Sequence, residues 1–454
     1  MLSKKIIISG IIALISSFSL SAQDSNAVNN FYNKFLSSDD YDTLNSEKLT
    51  TTDYLSLNKA IILGLKNNPN LKAKKLEINA FQALALQAAL YPNPEVGIEL
   101  ENFLGSGEFG EFNASENTFS ITQDFVLGGR LNKAQKLQII SSDIAKWELE
   151  KERLNLITDI RKSFTVISSL QYQNDLNKKL LQISRDFLKN LERRIKAGKV
   201  SPAESLRASL ITTSLEIQIQ NTEMQLASEK TRLKTLLGKP DLQFLSVESI
   251  RNLKYKIPQL EELSSLIIQA PTLAQFKTEI KRMKAAIELE KSKVIPDLSV
   301  SLGLRRINET SDNVFVFGLS MPLPLFDNNK GNIQEAIIRS DQTKYNFKST
   351  LNQVNARLHT LYNNIKAYSI MLQKLEKESI PQARNAFRII NQGNLVGRFT
   401  VLDVLDAQRS LFELESQYVN AVSEYNKNII DLERLTLTKF NFEYKSRIPQ
   451  NEEK

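Results

Sequence analysis

Two passages decide the fold. The first runs YPNPEVGIELEN over 91–102, then FSITQDFVLGGR over 119–130, and the second runs IPDLSVSLGLRR over 295–306, then FGLSMPLPLFDNNKG over 317–331. In both, a proline at the start (Pro94, Pro296) is followed by strict alternation of apolar and polar residues, the two-residue period of a β-strand with one apolar face. Val96, Ile98 and Leu100 alternate with Gly97, Glu99 and Glu101, and Leu298, Val300, Leu302 and Leu304 with Ser299, Ser301, Gly303 and Arg305. The partner strands carry Phe119, Ile121 and Phe125 in one case and Phe315, Phe317 and Leu319 in the other. Four strands are therefore expected, at about 94–102, 117–125, 296–305 and 313–322. The first three have a polar second face, the pattern of a membrane barrel that is apolar outside and wet inside. Four strands cannot close a barrel, because about eight are needed. Copies of the chain must then combine, unless the strands form a soluble sheet on a coiled coil.

Outward from these strands the period changes. Arg130 to Ala197 contains neither proline nor glycine, and as one helix would run about 100 Å. Leu351, Val354, Leu358, Leu361, Ile365, Tyr368, Leu372 and Leu375 step by three and four. Such a heptad seam implies left-handed supercoiling, and Pro381 is the one proline between Lys330 and Gln392. An elongated, mainly helical molecule is expected.

The chain reads as one unit written twice. Pro69 and Pro271, Pro94 and Pro296, and Ala134 and Ala336 are each 202 residues apart, while Gly198 and Gly397 are 199 apart. The expected organisation is a signal peptide at 1–22, an N-terminal extension at 23–54, a first helix, hairpin and helix repeat at 55–257, a second at 258–438, and a charged tail at 439–454, frayed from Lys439. The signal peptide rests on basic Lys4 and Lys5, the apolar run Ile6 to Leu20, and a small residue, Ala22, at the cleavage point. No cysteine follows to carry a lipid anchor.

Composition excludes most catalytic chemistry. There is no cysteine and one histidine, His359, so thiolate nucleophiles, disulfides and clusters of imidazole ligands are ruled out. Neither a catalytic residue set, nor a cofactor, nor a resident metal site is expected, and the chain is not read as an enzyme. Gly105, Gly107 and Gly110 in GSGEFG match a phosphate-loop spacing, but a strand follows where a helix N-terminus would be required. A hairpin loop is the reading. Removing Lys4 and Lys5 from the 59 basic residues leaves 57 against 51 acids, a net of +6. Without any basic block, this excludes a nucleic-acid partner. The mean hydropathy of −0.28 does not fit a polytopic helical membrane protein. His359 is read as a seam or surface residue, Trp147 as helix packing, and Pro322 and Pro324 as the end of a strand.

Taken with the turns AGKVSPAESLRA and VGRFTVLDVLDAQRSL, these passages resemble the TolC-type outer-membrane efflux proteins over about residues 55 to 438. PLPLFDNNKG is more similar to the heavy-metal cation branch, the CzcC-like proteins. The resemblance implies a homotrimer in which long coiled-coil hairpins form an α-barrel across the periplasm and four strands per protomer complete a 12-stranded transmembrane β-barrel. It implies location in the outer membrane of a Gram-negative bacterium, in contact with its lipid. It also implies two partners, a periplasmic adaptor (membrane fusion) protein and an inner-membrane transporter of the RND type. The function implied is the exit duct of a tripartite pump, exporting divalent heavy-metal cations. A duct for drugs or secreted polypeptides, or a secreted coiled-coil interaction protein without a channel, are the alternatives.

The resemblance also places the functional residues. Asp403 and Asp406 match acids ringing the closed periplasmic entrance; their spacing puts both on one helical face, and a ring of acids at a constriction attracts cations. Two acids near a helix start also meet its dipole favourably. Gly198, Val200 and Ser201 in one repeat, and Val396, Gly397, Arg398, Phe399 and Thr400 in the other, match the tips that open and meet the adaptor. Turn chemistry alone accounts for the glycines and caps, less readily for an exposed Phe399. Glu204 stands at the family's latch acid, with Arg398 as its expected partner, since Phe399 occupies the usual basic position.

Overall fold

The computed structural model describes residues 51–249, 254–440 and 442–443. The signal peptide, most of the N-terminal extension and the tail beyond 443 lie outside the described residues. Two units are formed. One takes in the described residues up to Lys72, then Glu150–Pro271 and Leu351 onward; the other comprises Ala73–Leu149 and Thr272–Thr350.

The second unit holds the sheet. Its strands are β2 (Glu95–Glu101), β3 (Glu116–Phe125), β6 (Leu298–Ile307) and β7 (Asp312–Ser320), in the order β2-β3-β6-β7. All three pairings are antiparallel. Register aligns the apolar faces into rows: Ile98 lies opposite Phe119, which faces Leu304, which faces Phe315. These side chains are exposed, Ile98 to 75% and Phe315 to 92%, so the sheet presents an apolar face to its surroundings. On the other face Arg305 of β6 reaches across the sheet. It donates to Thr118 at 2.9 Å and Glu116 at 2.6 Å and pairs with Glu101 at 2.9 Å. One long edge of β2 and one of β7 have no strand partner among the described residues.

Helices flank the sheet in each repeat. Within this unit α2 (Pro69–Gln87) leads to β2 and α6 (Pro271–Ser292) to β6, and these helices begin at equivalent prolines. The strand-to-helix passage after β3 turns on Gly128 and Gly129, both at positive φ. A Cβ on Gly128 would lie 3.0 Å from Ile295 and 3.1 Å from the Ser292 carbonyl, so a side chain there would crowd this approach as well as strain the backbone. There Arg130 pairs with Asp297. Trp147 is buried and donates to Thr278 at 3.1 Å, a packing role as expected.

Two helices carry the run into the other unit. These are α3 (Arg130–Lys196), one unbroken helix of 67 residues, and α7 (Lys330–Lys374) of 45. Along α7 and at the residue that follows it the heptad positions Val354, Leu358, Leu361, Ile365 and Leu375 are buried, and His359 is exposed. Pro381 does not end the run. Leu375–Ser379 widens into a π-turn, in which the Ile380 amide donates to Leu375, and Pro381 follows directly in α8 (Ile380–Leu395), so the widened turn is where the helix accommodates the missing N–H.

In the first unit α8 is followed by α9 (Val401–Thr436), and α3 by α4 (Pro202–Leu236). Short elements complete this unit: α1 (Leu57–Asn67), α5 (Leu260–Leu266), and two small sheets that periodicity does not reveal. β1 (Thr51–Leu55) runs parallel to β4 (Gln243–Val247), so the end of the expected N-terminal extension is built into the fold. β5 (Lys254–Tyr255) pairs with β8 (Phe442–Glu443). Lys439 and Phe440, expected to fray, are ordered. Phe440 is buried and its amide donates to Glu433 at 2.7 Å. Glu433, 1% exposed, also accepts from Arg161 at 2.5 Å. Beside it Asp431 takes both Lys162 and Arg357.

Candidate functional site: the two helix tips

Both tip turns, α3 to α4 and α8 to α9, are built by the same backbone rule. In the first, the amides of Gly198 and Lys199 donate to the carbonyls of Ile195 and Arg194 at 2.9 Å each. In the second, Gly397 donates to Asn394 at 3.1 Å and Arg398 to Gly393 at 2.9 Å. This is the Schellman pattern, closed by a left-handed glycine in each repeat. Ser201 then caps α4, accepting from Ala203 at 3.3 Å with Pro202 in the first turn. Thr400 caps α9 in a capping box: its hydroxyl accepts from the Asp403 amide at 3.1 Å, and the Asp403 carboxylate accepts from the Thr400 amide at 2.7 Å.

The capping box gives Asp403 two roles. The Thr400 hydroxyl and then its amide hold the Asp403 carboxyl below the usual aspartate range, so it is a fixed negative charge. Asp403 and Asp406 lie exposed on the face of α9 opposite buried Val401, Val404 and Leu405. Asp406 has one loose partner, Arg409 at 3.8 Å. Val401 and Leu405 pack with Leu191 of α3 and Ala208 of α4, and Val200 joins this cluster. The tips of the two repeats are therefore one packed body.

Structure and expectation part at the latch. Glu204 pairs with Arg207 at 3.5 Å, and among the described residues no ion pair or hydrogen bond joins it to Arg398. Within the chain the tips are instead joined by Arg194, which donates to the Asn394 side chain at 2.7 Å. Asn394 is 1% exposed and donates in turn to the Phe399 carbonyl at 2.8 Å. The Phe399 ring lies over Gly393, where a Cβ would sit 2.5 Å from it. Val396, Arg398 and Phe399 remain exposed around this turn, Val396 to 71%. Sequence reasoning named Phe399 but missed Arg194 and Asn394; the signal was the first glycine of QGNLVGR, Gly393, which the turn at Gly397 does not itself require.

A long helix following a hairpin, twice over in one chain, with the two hairpins joined in one four-stranded sheet that has an exposed apolar face, fits a class: outer-membrane channels of mixed helix and strand. The model of the family described as "outer membrane efflux protein" matches residues 61–239 and 263–436. The chain is 27% identical over 385 residues to the cobalt-zinc-cadmium resistance protein CzcC of Cupriavidus metallidurans, covering 84% of this chain and 90% of that one. It is 23% identical over 379 residues to the pyoverdine export outer membrane protein OpmQ of Pseudomonas aeruginosa, covering 78% and 79%. Among solved structures it superimposes on CusC with a TM-score of 0.73 at 16% identity, covering 84% of this chain and 91% of that one. The chain belongs to the outer membrane efflux protein family, and it is a channel of the outer membrane reaching into the periplasm.

Proposed function

We propose that the chain is the exit duct of a tripartite pump that exports divalent heavy-metal cations. The observation that carries this reading is the similarity to a cobalt-zinc-cadmium resistance protein along nine-tenths of that relative's length. In this reading three copies assemble, each giving four strands to a 12-stranded barrel, and α3, α4, α7, α8 and α9 to the periplasmic α-barrel. An RND-type transporter in the inner membrane supplies energy, and a periplasmic adaptor docks on the tips around Val200, Ser201, Val396 and Phe399. Asp403 and Asp406 from three copies form an acidic ring at the entrance, which favours cations over anions. No step requires a resident metal, a cofactor or catalysis. A duct for organic compounds is the second reading, favoured by the pyoverdine exporter's likeness.

Growth of a deletion strain across cobalt, zinc, cadmium, nickel, copper and silver salts, beside detergents, antibiotics and siderophores, separates the two. Sensitivity to metals alone, restored by the wild-type gene, is expected. Sensitivity confined to organic compounds would overturn the metal assignment.

A further inference from the structure

The sheet sorts its charges by face. Every acid in the four strands, Glu95, Glu99 and Glu101 of β2, Glu116 and Asp124 of β3 and Asp312 of β7, shares one face with Arg305. The other face is the exposed apolar one, and a single charged residue of these strands lies on it, Arg306. The two adjacent arginines differ in their partners. Arg305 is held by Glu101 and Glu116, whereas Arg306 is exposed and, among the described residues, has no carboxylate partner. Its Nη1 donates to the Ser311 carbonyl at 3.0 Å, which fixes the side chain and leaves the Nε and Nη2 edge of the guanidinium open.

The strands set the level of Arg306. Directly opposite it stand Asn117 on β3 and Asn313 on β7, and the next row along is Leu304 with Phe119 and Phe315. From Phe315 through Phe317, Leu319 and Met321 to Leu323, alternate residues are apolar and exposed. That run is roughly 27 Å long at the rise of a strand, or roughly 20 Å of membrane at the tilt of barrel strands, most of a ~25 Å apolar band. The row of Asn117, Arg306 and Asn313 therefore stands at the rim of the band, where a charge on the lipid face is tolerated. It is the outer rim, because β3 and β7 leave the sheet at the opposite end for the helices, which lie on the periplasmic side. Both hairpin turns are tied together here: the Asn308 amide donates to the Ser115 carbonyl at 3.0 Å, and its side chain to Ser115 Oγ at 2.6 Å. In the loop of the first hairpin Phe103 and Phe112 stack with centroids 6.2 Å apart, both exposed, as aromatic girdles do at a membrane interface.

We propose that the row of Asn117, Arg306 and Asn313 binds a phosphate of lipid A, the phosphorylated glucosamine lipid of the outer leaflet. A guanidinium with one open edge matches two oxygens of a phosphate in a bidentate pair. The two asparagines flank it with neutral donors, and the acids of the strands, which would repel an anion, are all on the other face. The acyl chains of a lipid held there run down the apolar rows beneath, Leu304 with Phe315 first and Leu302 with Phe317 next. A water-soluble phosphate compound would leave those rows uncovered. Such a site depends on the outer-membrane location of the chain and is independent of what the duct exports.

The test uses the full channel, purified in detergent and stripped of lipid, then titrated with diphosphorylated lipid A. Bound lipid is counted by native mass spectrometry, and the thermal midpoint is followed alongside. The wild type is expected to retain lipid A and to melt at a higher temperature with it. Arg306→Ala is expected to bind at least about tenfold more weakly, the worth of hydrogen bonds to a charged group, and to lose most of the rise in midpoint. Arg306→Lys keeps the charge without the fork and is expected to fall between the two; it also serves if the alanine variant fails to insert. Arg339→Ala, which removes an exposed charge from α7, is expected to bind as the wild type does. With dephosphorylated lipid A the difference between wild type and Arg306→Ala is expected to vanish. Equal binding of diphosphorylated lipid A by Arg306→Ala and wild type overturns the assignment, as does undiminished binding of the dephosphorylated lipid. Equal stabilisation by phosphatidylglycerol or by inorganic phosphate overturns it too, since either would mark a general anion site.

Discussion

At the residue scale the chain spends its few buried charges on its own integrity and its exposed ones on the tips. Glu433 is the most constrained, held by Arg161 and the Phe440 amide with 1% of its surface exposed. Removing one partner of such a pair strands a charge in a place with little water. Glu433→Ala should therefore destabilise the fold by about 3–5 kcal/mol, read as a lowered thermal midpoint in detergent, with Glu433→Gln intermediate. Asp403 behaves differently, because its lowered pKa comes from the hydrogen bonds of Thr400 and not from burial. A carboxyl whose folded pKa lies below its unfolded value stabilises fully above the unfolded pKa, and the effect is lost as pH falls through the folded one. The capping contribution is present at neutral pH and disappears only below the ordinary aspartate range. Melting curves from neutral to acid pH should show that loss in the wild type and not in Thr400→Val. The paired change Asp403→Ala, Asp406→Ala should lower cation over anion preference in bilayer conductance while leaving expression intact. Unchanged reversal potentials would count against the acidic ring.

At the scale of elements, strands and helices were legible for opposite reasons. The sheet announced itself by a two-residue period, and its observed bounds, Glu95–Glu101 and Leu298–Ile307 among them, differ from expectation by one or two residues, where end pairing and not side-chain pattern decides. The helices were legible because Leu358, Leu361 and Ile365 keep one face buried for many turns. The small sheets were not. β5 and β8 have two residues each, too short for any period, and β1 finds β4 across most of a repeat. The π-turn was equally silent, since Pro381 says that a regular turn must yield somewhere and not how. At the tips, glycines and caps could be read locally, but Arg194 meeting Asn394 depends on how the two repeats pack. Two substitutions test the elements separately. Phe317→Asp, on the exposed apolar face of β7, should block insertion into the outer membrane while the helices still form, seen as helical protein recovered outside the membrane fraction. Leu358→Ala, fully buried in the seam, should cost about 2–5 kcal/mol without affecting insertion.

For the whole molecule, the duplication is the organising fact. Each helix and strand of one repeat has a counterpart in the other, yet the two copies have diverged where their surroundings differ. Val126 and Leu127 run directly into a glycine turn, whereas the stretch between β7 and α7 carries two prolines, Pro322 and Pro324. The tips diverge likewise, with Ser201 and Pro202 opening one helix and a capping box opening the other.

The Arg161 and Glu433 pair also bears on the order in which the protein can be made. The two residues are 272 positions apart, and a ribosome delivers the first long before the second. Until the last helix arrives, the guanidinium must stay in water, and the site cannot close early around a wrong partner without burying an unmatched charge. Completion therefore waits for Phe440, whose amide fills the last position on the carboxylate. A chain ending at Thr436 should accumulate as an unfinished, protease-sensitive species, while one ending after Glu443 should mature at the normal rate, a difference that pulse-chase labelling would read directly.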